Sequence, residues 1–349
     1  MDRYDYGLPE SAVAQTPVEP RSAARLLDAL DPGGALAHRS VADLPTLLGP
    51  GDLLVVNETR VIPARIFLEK EGGARVELLL LEPVVGDPPG RVAGNPGQAG
   101  GSGDEVQVWQ ALVRPLKRCP PGTRLLRPGS AEQVAVVGER CGDGSRARVT
   151  FSGKVRPREL GILALPPYIR SELADPERYQ TVYGTRDGSV AAPTAGLHFT
   201  PDLLERCRTV GASIATVDLA VGLATFKPIT AARPEDHRMH AERYSVPAAT
   251  LEACKSATRV VAVGTTTVRA LEAAAATGEL SGQTSLYIRS GYPFRVVDVL
   301  MTNFHLPRSS LLLLVEAFCG ERWRDIYRVA LDTGYRFLSF GDAMIVGRS

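Results

Sequence analysis

The sequence predicts an α/β protein: a layered α/β domain formed from both chain ends, interrupted by a small all-β, barrel-like domain. Three observations carry this expectation. Between Ala64 and Phe151 the apolar residues fall in short Val- and Leu-rich runs bounded by Gly, Pro and Asp, without a helical period. After Phe151, strand-like runs alternate with stretches that carry helix start signals. At 349 residues the chain is also longer than one core usually holds. The expected division is 1–63 with 152–349 for the α/β domain and 64–151 for the insert.

In chain order, Ser22–Leu30 reads as a helix and Asp52–Asn57 as a strand. The insert contributes Ala64–Lys70, Ala74–Leu81, Val106–Val113, Gln133–Val137 and Arg146–Phe151 as strands. Gly86–Asp104 holds seven Gly and three Pro in 19 residues, too few apolar groups to pack, and reads as a flexible surface loop. Beyond it, Pro201–Thr209 is a helix behind a Thr200 N-cap, followed by a strand at Ser213–Leu219. A helix at Ala249–Ser256 leads to the strand Arg259–Val263 and the helix Thr266–Ala276. A strand at Val296–Thr302 precedes helices at Ser310–Phe318 and Trp323–Thr333.

Apolar residues make up 44% and charged residues 23% of the chain, which excludes fibrous and disordered classes. No aliphatic run approaches a membrane span, and Met1–Tyr6 lacks the apolar core of a signal peptide. Five cysteines without a CxxC pair suggest neither a zinc knuckle nor a disulfide framework, so a cytoplasmic setting is expected. The net charge of +1 hides an uneven distribution. From Arg114 to Arg158 the local balance is +8, from eleven Lys or Arg against three Asp or Glu. Such a segment suits a nucleic-acid backbone as well as it suits a solvated face. Arginine outnumbers lysine 35 to 5, a skew that a GC-rich genome also produces.

Several stretches carry chemistry. Gly142–Ala147 (GDGSRA) has a dinucleotide-like spacing, but a strand rather than a helix follows, and a hairpin turn explains it. Val260–Arg269 (VVAVGTTTVR) runs a buried strand into a helix start that suits a carboxylate or phosphate, or is a plain cap. Asp236–Glu242 (DHRMHAE) gathers two His and two carboxylates. His237 and His240 can share a helical face there, but no third ligand completes a metal site. Gly188–Thr200 (GSVAAPTAGLHFT) surrounds His198 with small residues, and Thr302–Arg308 (TNFHLPR) places Asn303 and His305 at a strand end, where α/β sites form.

Together with Tyr4–Pro9 (YDYGLP), Asp52–Ile66 (DLLVVNETRVIPARI), Leu165–Tyr168 (LPPY), Glu177–Tyr183 (ERYQTVY) and Tyr335–Met344 (YRFLSFGDAM), these stretches resemble, in shared order along nearly the whole chain, the S-adenosylmethionine:tRNA ribosyltransferase-isomerases of queuosine biosynthesis. The resemblance implies an α/β catalytic domain carrying an inserted β-barrel. It also implies an enzyme that moves the ribosyl part of S-adenosylmethionine onto 7-aminomethyl-7-deazaguanine at the tRNA wobble position. That group is isomerised to give epoxyqueuosine, with adenine and methionine released. S-Adenosylmethionine is then a cosubstrate, with no permanently bound cofactor and no metal. The expected partner is tRNA, without a membrane, and the chain is expected to act as a monomer.

The chemistry needs a base for the C5′ hydrogens next to the sulfonium, for which His198, His240 and Glu242 are candidates. Asn57, Arg60 and Arg269 suit a carboxylate, ribose hydroxyls or phosphate. Tyr183, Thr194, Thr265, Asn303, His305 and Asp342 complete the expected substrate contacts. Arg114, Lys117, Arg118, Arg124, Lys154 and Arg156 are the expected tRNA contacts. One stretch departs from the family pattern, which reads like TLHVGxGTF where this chain has Asp218–Phe226 (DLAVGLATF). Asp218, Ala220 and Ala224 replace Thr, His and Gly. The alternatives this raises are a paralogue acting on a free deazapurine and a non-catalytic tRNA-binding homologue.

Overall fold

The computed structural model describes residues 1–84, 106–142, 144–153, 155–222 and 228–349. Gly86–Asp104, Lys154 and Ala224 lie outside the described residues. Two compact units emerge, one formed by Met1–Val61 with Leu165–Ser349 and the other by Ile62–Ala164.

In the first unit, nine strands among the described residues form one mixed sheet. They are β1 (Arg25–Ala29), β2 (Ala37–Ser40), β3 (Asp52–Asn57), β12 (Ser213–Leu219), β13 (Glu242–Ser245), β14 (Arg259–Val263), β15 (Ser281–Thr284), β16 (Val299–Asn303) and β17 (Ala343–Gly347). Their order is β15-β13-β12-β3-β14-β16-β17-β1-β2. The inner run β12-β3-β14-β16 is parallel, while β16 and β17 are antiparallel. A short parallel pair, β4 (Thr59–Val61) with β11 (Arg186–Ser189), stands beside it.

The parallel strands β3, β14 and β16 carry apolar runs, Leu53–Val56, Val260–Val263 and Val299–Met301, because both of their faces are covered. Along β3, Leu53 and Val55 enter one core while Leu54 and Val56 enter the other, the period of two that a pleated strand imposes. The first core is closed by α4 (Thr265–Thr277), α5 (Ser310–Cys319) and α6 (Trp323–Asp332), which contribute Val268, Leu271, Leu312, Val315, Ile326 and others. The second is closed by α2 (Pro201–Thr209) through Leu203, Leu204 and Cys207. As expected, α2 starts at Thr200, whose side chain accepts the Leu203 N–H. The remaining helix of this unit, α3 (Ala248–Ser256), leads into β14.

One helical expectation fails, and one open helical possibility is not realised. Ser22–Leu30 is not a helix: its Ala- and Leu-rich composition gives way to β1, buried as a strand between β2 and β17. Asp236–Glu242 holds only a 3-10 turn, Pro234–Asp236, after which the chain runs extended into β13. His237 and His240 therefore share no helical face.

The second unit is a closed six-stranded barrel among the described residues, in the order β10-β7-β6-β5-β8-β9. Its strands are β5 (Arg65–Lys70), β6 (Arg75–Pro83), β7 (Gln107–Arg114), β8 (Arg124–Leu126), β9 (Gln133–Cys141) and β10 (Arg146–Phe151). Alternate residues such as Ile66, Leu68, Leu78, Trp109, Val137 and Val149 fill it. Gly142 and Gly144–Ala147 of the GDGSRA stretch lie at the β9–β10 hairpin, as the sequence suggested. After the one-turn helix α1 (Pro157–Leu160), the chain returns to where the unit began. Arg65 and Ile162 exchange backbone hydrogen bonds at 3.0 and 2.8 Å. Gly161 sits so tightly there that a Cβ would lie 1.9 Å from the Pro63 carbonyl oxygen.

Candidate active site

A cavity opens at the carboxyl ends of β14 and β16, where ligands bind in open α/β sheets. The β14–α4 junction turns through Gly264 at φ +89°, a conformation that L residues rarely adopt. It brings Thr265 and Thr266 to the cavity. The end of β16 supplies Thr302 and Asn303, the following turn supplies His305, and the 3-10 turn Thr194–His198 supplies Thr194 and Ala195. Ser309 caps α5, accepting the Leu312 N–H at 3.2 Å. No Asp, Glu, Lys or Arg lines the cavity among the described residues.

Asn303 organises the polar wall. Its Nδ2 donates to the Asp342 backbone carbonyl at 3.2 Å, which fixes the amide orientation. Oδ1 then faces Thr194 and accepts its hydroxyl proton at 2.8 Å. Nδ2 also approaches His198 Nε2 at 3.2 Å, so His198 accepts there and is a neutral imidazole. Burial, aided by Arg336, Arg178 and Arg21, pushes the His198 pKa down to about 4. His305 is held by Thr302 Oγ1 at 3.1 Å through Nε2, and its backbone N–H donates to Tyr327 Oη at 3.0 Å. The Tyr6 hydroxyl donates to the His305 carbonyl, and burial pushes the His305 pKa down to about 3.

Both imidazoles are therefore neutral in the fold but protonate near pH 6.5 in the unfolded chain. Their contribution to stability is full above pH 6.5 and is lost as pH falls towards 4. Chemical denaturation from pH 7.5 to 4.5 is expected to show a loss of a few kcal/mol, reduced in His305→Asn.

The structure places the other expected residues unevenly. Thr194, Thr265, Asn303 and His305 line the cavity; His198, His240 and Glu242 do not. His240 is exposed. Glu242 is buried, ion-paired with Arg269, and accepts the Gly222 N–H at 3.1 Å. Arg269 also donates Nε to the Leu286 carbonyl at 3.2 Å, while its Nη2 has no hydrogen-bond partner among the described residues. Arg60 pairs with Glu177 at 2.7 Å. Tyr183 packs edge-on against Phe199, with burial raising its phenol pKa.

Asn57 and Asp342 tie backbone segments together. Asn57 Oδ1 accepts the Thr59 and Leu219 N–H groups, and Nδ2 donates to the Leu219 carbonyl and to Thr266 Oγ1. Its amide capacity is filled. The Asp342 carboxylate accepts the Arg25 and Arg336 N–H groups at 2.9 and 2.8 Å.

Thr266, Thr302, Tyr168 and Ser339 line the cavity without having been singled out, although each falls in a motif quoted above. Tyr168 Oη and Ser339 Oγ are 2.8 Å apart. The neighbouring Leu338 holds φ +70°, and Arg308, one residue before Ser309, holds φ +56°. Backbone strain in non-glycine residues concentrates at functional sites.

At the departing stretch, Asp218 is buried and meets Arg243 at 3.3 Å. Burial raises its carboxyl pKa, with Arg243 opposing. The Ala220 N–H donates to the Arg243 carbonyl at 2.9 Å, and the adjacent Val221 lines the cavity.

A family model described as "Queuosine biosynthesis protein" matches residues 1–346. The chain is 48% identical to the S-adenosylmethionine:tRNA ribosyltransferase-isomerase of Moorella thermoacetica and 47% identical to that of Thermus thermophilus, covering 99% of each chain in both cases. Its fold is similar to the crystal structure of the S-adenosylmethionine tRNA ribosyltransferase of Thermotoga maritima, with a TM-score of 0.53, 35% identity and 99% coverage of both chains. A match of this extent, together with a cavity walled by residues from the same motifs, makes the chain a member of the queuosine biosynthesis protein family.

Proposed function

We propose that this protein is an S-adenosylmethionine:tRNA ribosyltransferase-isomerase, acting on tRNA that carries 7-aminomethyl-7-deazaguanine. The observation that carries the reading is end-to-end similarity to enzymes of that name at close to half identity. In the reaction a base removes a C5′ proton beside the sulfonium, adenine leaves, the neutral aminomethyl nitrogen bonds to the ribosyl carbon, and methionine departs as the epoxide closes. His198, His240 and Glu242 form the proposed proton-handling set, with His198 acting through Asn303. Thr194, Thr265, Asn303 and His305 form the proposed substrate wall. Incubation with S-adenosylmethionine and the deazaguanine-bearing tRNA tests the reading: epoxyqueuosine nucleoside and free adenine support it, and their absence refutes it.

Residues 62–164 are the proposed tRNA-binding insert. Arg114, Lys117 and Arg118 are exposed there, at the end of β7 and in the turn after it. Arg124 and Arg156 are also exposed but pair with Glu71 and Glu159. Changing Arg114, Lys117 and Arg118 to Glu is expected to weaken tRNA binding and lower the salt slope by about one per site, leaving S-adenosylmethionine affinity intact. Filter binding across a salt series measures this. Free thiols at all five cysteines fit a cytoplasmic enzyme, and we propose a monomer without a permanent cofactor.

The departure at Asp218 and Ala220 fits this activity. The Asp218–Arg243 pair and the Ala220–Arg243 hydrogen bond already tie β12 to β13. Ala220→His is accordingly expected to change kcat/KM less than about threefold; a large gain in steady-state turnover would show that the lost imidazole matters.

A further inference from the structure

The cavity sorts its hydrogen-bonding groups by polarity, and backbone contacts fix the sorting. At one end α4 begins without a side-chain cap, so the first N–H groups of the helix are open to the cavity. Thr265 lies there, 5% exposed, and its hydroxyl has no hydrogen-bond partner among the described residues. Beside it, Thr266 Oγ1 accepts from Asn57 Nδ2, which leaves the Thr266 proton free to be donated. The orientation of Asn57 is set by two backbone N–H groups on its Oδ1. This end of the cavity is made of donors.

Close by, on the turn that packs Ala195 against Gly264, Thr194 has the opposite character. Its proton is committed to Asn303 Oδ1, and its lone pairs are what it can offer a ligand. In the remaining wall Tyr168 pairs with Ser339, Thr302 with His305, and Ser309 donates to the Leu306 carbonyl, while Val221, Phe304, Leu306 and Leu338 are apolar. Donors, an acceptor, polar groups paired with one another and apolar surface, without a formal charge in the lining among the described residues, match a zwitterion joined to an apolar chain. They suit a polyanion poorly, because phosphates call for cations.

We propose that this cavity binds the α-amino-acid end of S-adenosylmethionine, its carboxylate on the α4 N-terminus and Thr265, its ammonium on Thr194. The proposal rests on the S-adenosylmethionine reading above and goes beyond it by assigning which part of the cosubstrate each end holds. Methionine released by the reaction would leave from the same place.

Calorimetry on the full chain with S-adenosylmethionine and with its decarboxylated analogue tests the assignment. The wild type is expected to bind the decarboxylated analogue at least about tenfold more weakly, the loss of charge-assisted hydrogen bonds. Thr265→Val is expected to weaken S-adenosylmethionine about tenfold while leaving the analogue unchanged, and Thr265→Ser is expected to restore it. Thermal melts show whether Thr265→Val is folded; if it is not, the wild-type comparison alone decides. Equal wild-type affinity for the two compounds overturns the assignment and leaves the S-adenosylmethionine reading standing. Absence of any S-adenosylmethionine binding overturns both. A Thr265→Val variant that loses tRNA affinity but keeps that for S-adenosylmethionine would place a tRNA phosphate at α4, and overturns the assignment as well.

Discussion

Asn303→Ala is expected to lower kcat/KM by about 100-fold or more and to destabilise the fold by about 2–6 kcal/mol. The side chain is 2% exposed and joins three partners: Thr194, His198 and the Asp342 carbonyl. Truncation leaves two or more of these buried groups unpaired, at about 1–3 kcal/mol each. It also releases the Thr194 proton, so the one wall held as an acceptor becomes free to rotate. Asn303→Asp separates the effects. A carboxylate beside the neutral His198 favours the imidazolium, so activity in that variant is expected to follow a pH profile different from that of the wild type. Unchanged kinetics with Asn303→Ala would show that the polar wall is not used.

Arg269→Met is expected to cost about 3–5 kcal/mol, read as a lower midpoint in urea, because it removes the guanidinium paired with the buried Glu242 carboxylate. Both side chains of the pair are almost wholly enclosed. Glu242 also holds the Gly222 N–H, next to Val221 in the cavity wall. A double variant, Arg269→Met with Glu242→Leu, is expected to regain much of the stability, since replacing both charges removes the desolvation penalty. It is not expected to regain turnover, because the Gly222 tether stays broken. Recovery of both would reduce the pair to a packing element.

Much of this was legible in the sequence. The parallel strands β3 and β14 are short apolar runs, Leu53–Val56 and Val260–Val263, and composition and flanks gave them away. The Thr200 cap, the helices α4 to α6 and the β9–β10 hairpin also carry their own local signals. The strand β1 did not, because nothing within Arg25–Ala29 states that β17, over three hundred residues later, will pair with it. Local composition favoured a helix, and a non-local ladder won.

The site shows the same limit. Residue type marked Asn57, Asn303, Asp342 and Glu242 as polar groups in unusual places. Their partners decide what each can do, and those partners include backbone groups distant in sequence. An Asn with four hydrogen bonds and an Asn with a vacant face look identical in sequence. The cavity threonines were equally silent, since whether a hydroxyl donates or accepts depends on which neighbour takes its proton.

The junction of Pro63 with Gly161 bears on the order of folding. Val61 and Leu165 are separated by the 103 residues of 62–164, yet β3 and β4 must pair with strands drawn from beyond residue 165. Once the barrel has closed and Arg65 has met Ile162, that span acts as a loop of a few residues. By the logarithmic scaling of loop closure, the search that remains is easier by about 3 kcal/mol of entropy. A barrel whose described strand pairings lie within its own stretch of chain thus serves as a clamp on the polypeptide, and the sheet that bears the cavity inherits the benefit.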